Sequence, residues 1–276
     1  MTVYLGKNPV GVGRIVEKKV AKTKYGCSID NFLGNVDADG TYIAPSEPFE
    51  VNLAGVKSVN TSNDFPYKFY KSRIKKLTAN DLVSIIGTSG FEGVCTNSQF
   101  LEEAHFDNLE EINDSYVFSN AFNGCYSVKK ITFSKLKKVT GSLAFKNAFK
   151  GIGISVPVLN IEEIFPALEE ISNDSFNTFV DLTYHASQGK PIIFPAVKKI
   201  IGGSSAYSKN VFGGYYVQNS VWNFPSATEF TGYIWNITSS YAGEIHFAAA
   251  NQAAIEACEG YDYKWGFQNA TIYFDL

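Results

Sequence analysis

Residues 101–112, Leu-Glu-Glu-Ala-His-Phe-Asp-Asn-Leu-Glu-Glu-Ile, and residues 128–139, Val-Lys-Lys-Ile-Thr-Phe-Ser-Lys-Leu-Lys-Lys-Val, align position for position. Each reads apolar, two like charges, apolar, any residue, Phe, two spacers, apolar, two like charges, apolar. Before the phenylalanine the apolar positions alternate, as in Ala104-x-Phe106, Ile131-x-Phe133 and Ile192-x-Phe194. That is the pattern of a short strand with one buried face. The centre of the pattern, Phe with apolar residues three and six later, recurs along the chain. It stands at Phe106-Leu109-Ile112, Phe133-Leu136-Val139, Phe165-Leu168-Ile171, Phe194-Val197-Ile200 and Phe224-Ala227-Phe230. The phenylalanines are 27, 32, 29 and 30 residues apart, Phe247 follows after 23, and Phe274 comes last. A near-constant period of this length predicts a repeat solenoid with one short strand per 27–32-residue repeat.

The like-charged pairs then acquire a role. In order they read Lys75-Lys76, Glu110-Glu111, Lys137-Lys138, Glu169-Glu170, Lys198-Lys199 and Thr228-Glu229, alternating in sign. Stacked strands lie about 5 Å apart, so each acidic pair is expected between two basic ones. Each exposed contact is worth only ~0.2–1 kcal/mol. A slip by one repeat sets like charges together, so the ladder chiefly enforces register. It also marks Arg73-Ile74-Lys75-Lys76-Leu77 as the start of a degenerate first repeat.

Ser119-Asn120-Ala121-Phe122-Asn123-Gly124-Cys125-Tyr126-Ser127-Val128-Lys129-Lys130-Ile131 resembles the signature of BspA-type leucine-rich repeats. Lys146-Asn147-Ala148-Phe149-Lys150-Gly151 repeats its first half, and Ser208 to Gly214 does so more loosely. The resemblance covers roughly residues 70–247. It implies a curved solenoid used for adhesion or protein recognition rather than catalysis.

Three regions are expected: a β-rich attachment segment at 1–60, the solenoid at 61–247, and a capping helix and strand at 248–276. Residues 1–60 lack the repeat and are rich in Val, Gly and Thr, as short strands and turns are. With VGVGR, KTKYG and IDNFLGNVDADG they resemble the amino-terminal piece of leucine-rich-repeat tail proteins in phages and prophages of gut bacteria. Residues 248–260 read as a short helix with Ala254, Ile255 and Cys258 on one stripe and Gly260 as its cap. Trp265 and a strand at 270–276 are expected to cover the last open face.

Composition narrows the function. The chain has 276 residues with 24 Lys+Arg, 27 Asp+Glu, 22 Phe and 16 Tyr, too apolar and aromatic for wholesale disorder. A formal charge of −3 gives no general pull toward nucleic acid. No apolar run is long enough to span a membrane. The first ten residues lack a basic start followed by an apolar core, so no Sec-type leader is expected. Cys27, Cys95, Cys125 and Cys258 are far apart, with no C-x-x-C and no histidine at ligand spacing. Neither a metal site nor a disulfide framework is expected, and Cys125, beside Phe122 and Val128, reads as a small buried hydrophobe.

Other motifs resolve to plain structure. Asn35-Val36-Asp37-Ala38-Asp39-Gly40 imitates the start of an EF-hand loop, but position 12 is Ser46, so a turn between strands is expected. Gly11-Val12-Gly13 lacks the third glycine of a dinucleotide site, and Gly87-Thr88-Ser89-Gly90 misses the nucleophile-elbow spacing; no cofactor is expected. The basic, aromatic stretch from Tyr67 to Lys76 reads as a solvated first-repeat face rather than a nucleic-acid site. No histidine has a nucleophile and an orienting group at hand in the sequence, so no enzyme is expected.

Two sets of residues remain as binding candidates. Residues 202–220 and 231–241 interrupt the repeat and are rich in Tyr, Ser, Gly and Asn, the composition of paratopes. They offer Tyr207, Tyr215, Tyr216, Tyr233, Trp235 and Tyr241. The second set precedes each repeat phenylalanine and should form an exposed row: His105, Thr132, Ile193, Asn223, His246 and Tyr273, with Ile164 only in approximate register. Together with the resemblances, these predict a non-enzymatic recognition protein of a phage or prophage tail. Its expected partners are a cell-surface protein or glycan and, through the amino-terminal segment, other virion subunits, with self-association possible in principle. The alternatives are a bacterial cell-surface adhesin and a carbohydrate-binding module.

Overall fold

A computed structural model describes residues 47–60, 65–152, 160–180, 189–204, 210–213, 219–236 and 242–276, together with five short strands nearer the amino terminus. The chain winds as a parallel β-solenoid of about seven turns with little helix. Each regular turn has three sides. The first carries the strands Phe49–Asn52, Ile74–Thr78, Glu103–His105 and Lys130–Thr132, paired in parallel in that order. After a one-turn helix at Ile161–Ile164 it resumes with Ile192–Ile193, Ser220–Phe224, Ala242–Phe247 and Asn269–Phe274.

The second side carries Glu111–Ile112, Lys138–Val139, Glu170–Ser172, Lys199–Ile201 and Glu229–Thr231. Each repeat therefore holds two strands rather than the single one expected. The corner between them is the reason. The N–H of Leu109 turns back to the carbonyl of Phe106, and that of Leu136 to Phe133, so the chain bends and pairs again at Ile112 and Val139.

The third side is built from turns that stack. Phe91, Gly93, Cys95 and Asn97 donate their N–H groups to Val117, Ser119, Ala121 and Asn123 of the next turn. The N–H groups in between, on Glu92, Val94, Thr96 and Ser98, point back three residues within their own turn. This alternation places a residue at positive φ every fourth position, as at Ser89, Gly93 and Asn97, and then at Tyr116, Asn120 and Gly124. Gly93 serves both needs of glycine here, since a Cβ on it would strike the Tyr67 ring of the preceding turn.

Phenylalanines fill the interior in two stacks. Phe106, Phe133 and Phe165 follow one another with centroids 5.1 and 5.4 Å apart. Phe91, Phe118, Phe145 and Phe176 form the second stack at 5.4, 5.4 and 5.1 Å. The stacks meet edge to face, as between Phe118 and Phe133 at 5.0 Å, a geometry that adds to area burial.

The parallel first side extends back past position 61, where the repeat becomes readable, through Phe49–Asn52 to Thr2–Tyr4, which pairs with it in parallel. Hydrogen bonds show why those turns were hidden. Leu53 and Ala79 donate to Thr78 and His105 as Phe106 donates to Thr132, so they hold the place of the repeat phenylalanine. The apolar spacing persists as Leu53-Val56-Val59 and Ala79-Leu82-Ile85 without an aromatic to announce it. Nearer the amino terminus Asn35–Val36 pairs antiparallel with Tyr42–Ile43; the residues between them, where a turn was expected, lie outside the described residues. At the other end Trp265 is buried, Ile255 anchors the short helix Gln252–Glu256, and Asn269–Phe274 pairs with Ala242–Phe247. The stripe is narrower than expected, because Ala254 is exposed.

Candidate functional site

Two charge ladders run along the solenoid, where one was expected. On the first side Glu50 lies opposite Lys76, Lys76 opposite Glu103, and Glu103 opposite Lys130. On the second side Glu111, Lys138, Glu170, Lys199 and Glu229 follow in register. Ion pairs close both, among them Lys76–Glu103 at 2.6 Å, Lys129–Glu102 at 2.9 Å, Lys198–Glu169 at 2.9 Å and Lys199–Glu229 at 2.7 Å. Lys75 and Lys76 belong to the first ladder, because they precede Ala79 as Glu102 and Glu103 precede Phe106. Glu110 and Glu111 therefore have basic neighbours, Lys137 and Lys138, on one flank only, and on the other they line a cleft of about 480 Å³ with Val83, Ser84 and Ile86.

The predicted outward row exists in register. His105 lies opposite Thr132, Ile193 opposite Asn223, Asn223 opposite His246, and His246 opposite Tyr273. The helix at Ile161–Ile164 breaks it in two. There Ile164 accepts the N–H of Phe133 as a row residue would, but its side chain is buried. The row is also unevenly open: Thr132 is buried at 7% exposure, whereas Tyr273 at its end is exposed at 37%. Side chains one strand spacing apart cover one another, and the longer ladder residues stand beside them.

Within the row both histidines are fully engaged. His105 meets the Thr132 hydroxyl at 2.9 Å through Nδ1 and Glu103 at 3.0 Å through Nε2. His246 meets Asp275 at 2.8 Å and Glu244 at 3.1 Å, and its ring stacks on Tyr273 at 4.6 Å. The hydrogen bond from the Lys76 ammonium, followed by that from His105, holds the Glu103 carboxyl down at about 2. Thr132, His105 and Glu103 thus reproduce the order hydroxyl–imidazole–carboxylate, a grouping the sequence concealed because its members lie on two strands. Glu103 is committed to Lys76 and Thr132 is covered, so the contacts fix the ring rather than expose a nucleophile.

The paratope-like candidates separate. Tyr207, Tyr215, Tyr216 and Tyr241 lie outside the described residues. Tyr233 is half-buried and stacks on Tyr263 at 4.7 Å. Trp235 is a core residue, 0% exposed, with Phe212 and Trp222 each 5.7 Å away and Phe267 at 6.1 Å. Its indole face is unavailable to a partner. Residues 210–213 and 233–236 continue the third side of the solenoid, with Val211, Phe212, Ile234 and Trp235 supplying its core. The interruptions of the repeat are accordingly shorter than the sequence implied. Phe212–Gly213 pairs in parallel with Trp235–Asn236, so Gly213, two residues before Tyr215, and Asn236, five before Tyr241, are neighbours.

Cys95 and Cys125 are buried and free. Burial pushes both thiols up, that of Cys125 to about 12, which leaves them unreactive. Among the described residues no group of three His, Cys, Asp or Glu side chains is placed to hold a metal ion, and no helix is long and apolar enough to cross a membrane. The fold and its surfaces define the chain as a parallel β-solenoid with outward-facing ladders. No protein-family model, curated protein or solved structure matches it.

Proposed function

We propose that this chain is a non-enzymatic recognition protein whose binding surface is formed by the tyrosine-bearing segments following Gly213 and Asn236. The observation that carries the reading is the parallel pairing of Phe212–Gly213 with Trp235–Asn236, which brings the roots of those segments side by side on a rigid support. Segments of Tyr, Ser, Gly and Asn on such a support vary without unfolding the core and supply rigid contact area. The repeat signature at 119–131 resembles BspA-type leucine-rich repeats, and residues 1–60 resemble the start of phage and prophage tail proteins. On that basis the placement is a virion tail, the partner a protein or glycan of a bacterial surface, and the amino-terminal segment the attachment point. The test is attachment of the labelled full chain to intact gut-bacterial cells. Tyr215→Ala combined with Tyr216→Ala should abolish it with little change in melting temperature. A folded variant that still attaches refutes the site, and gold-labelled antibody that fails to decorate tails of induced phage particles refutes the placement.

A further inference from the structure

Where the third side of one turn passes into the first side of the next, Lys71, Ser72, Arg73, Asn97, Gln99 and Phe100 line a cleft of about 470 Å³. That volume lies in the range of small-molecule sites. Arg73 is its central group. Its guanidinium carbon is 4.2 Å from the centre of the Phe100 ring, and its buried Nε has no hydrogen-bond partner among the described residues. A buried guanidinium N–H without an acceptor is costly, and such groups are commonly satisfied by a ligand or ion. The neighbouring Lys75 and Lys76 are already matched to Glu102 and Glu103, whereas no described carboxylate pairs with Arg73 or Lys71.

The chemistry of the lining specifies the guest. A guanidinium held by stacking is pre-organised for a planar or tetrahedral oxyanion, and Lys71 adds a second positive charge. Phe100 is 41% exposed, so part of its ring remains open to apolar C–H groups. Asn97 and Gln99 bring amides, which suit hydroxyls. We propose that this cleft binds a negatively charged sugar unit, its carboxylate or phosphate against Arg73 and Lys71 and its ring against Phe100. The cleft is built from residues 71–100, none of them in the tyrosine-bearing segments, and its test stands or falls independently of theirs. Two cations on a chain of formal charge −3 disfavour a nucleic-acid backbone.

Calorimetric titration of the full chain with glucuronate, glucose 6-phosphate, glucose and inorganic phosphate tests this. At least one anionic sugar should bind, glucose should not, and inorganic phosphate should bind more weakly than glucose 6-phosphate. Arg73→Gln should weaken the bound sugar at least about tenfold, Phe100→Ala should weaken it severalfold, and Lys75→Gln, outside the cleft, should not. Preference for glucuronate over glucose 6-phosphate, or the reverse, identifies the carboxylate or the phosphate as the natural group. Binding of neither sugar overturns the proposal. So does equal binding of glucose or inorganic phosphate, displacement by a short single-stranded oligonucleotide at lower concentration, or undiminished affinity in a folded Arg73→Gln variant. Should that variant unfold, Lys71→Gln and Phe100→Ala decide by the same criteria.

Discussion

The turns spanning 74–152 and those spanning 189–236 solve one packing problem by different means. In the first region every side is regular: strands of equal register, a third side of stacked turns, and phenylalanines repeated at equal height. In the second the described part of the third side pairs Phe212–Gly213 in parallel with Trp235–Asn236, and Trp222 and Trp235 with Phe212 fill the interior. The contrast teaches that the solenoid requires continuity of the backbone ladder and of core volume, but not of any particular side chain.

The comparison breaks most readily in the core. Phe133→Ala should cost ~3–5 kcal/mol, because its ring lies between Phe106 and Phe165 and against Phe118 and Phe145. Trp235→Ala should cost a comparable amount. Chemical denaturation of both variants checks this, and a Trp235→Ala variant as stable as the parent would show that the second region does not use its third side as core.

The ladder is next in size. Lys137→Glu with Lys138→Glu places three acidic pairs in succession on the second side, with an expected loss of ~1–3 kcal/mol from like-charge contacts. Salt should restore part of it. Lys75→Glu with Lys76→Glu should strain the first ladder instead, against Glu50, Glu102 and Glu103. Melting temperatures at low ionic strength that leave both double variants unchanged would remove the ladders from the account of register.

The acid limb sharpens the difference between the two ladders. Glu103 titrates near 2 in the folded chain, below its unfolded value, so it adds stability above the ordinary carboxylate range. That contribution should fade as pH falls through this range toward 2. Its side chain is 39% exposed, so solvent screening keeps the effect modest. Glu103→Gln should flatten the pH dependence of melting in that window, and an unaltered profile would contradict the pairing with Lys76 and His105.

The smallest effects are expected on the row and at the thiols. Thr132→Ala removes one hydrogen bond to His105 and should cost ~0.5–1.5 kcal/mol, more than a free surface position and far less than Phe133→Ala. Native-state alkylation near neutral pH should leave Cys95 and Cys125 unmodified, as peptide mass mapping would register. Rapid labelling of Cys125 would place that part of the first region outside the core.

The repeat, its period, the inward phenylalanines and the alternation of charge are properties of the sequence alone, because a buried face and a stacked pair each impose a spacing on the chain. The outward row is of the same kind, since each member sits one residue before an inward phenylalanine. Only the tertiary structure decided that each repeat holds two strands and that the charges divide into two ladders, because a corner bond between Phe106 and Leu109 leaves no mark on hydrophobic period. Only it revealed that the first side continues back through Phe49–Asn52 to Thr2–Tyr4, and that Leu53 and Ala79 occupy the phenylalanine position. Trp235 shows the limit most plainly: in a stretch of Tyr, Ser and Asn it reads as a surface aromatic. It is core because the parallel partner strand at Phe212–Gly213, more than twenty residues earlier in the chain, turns it inward. Burial is set by which distant segment pairs with a residue, and local composition carries no record of that partner.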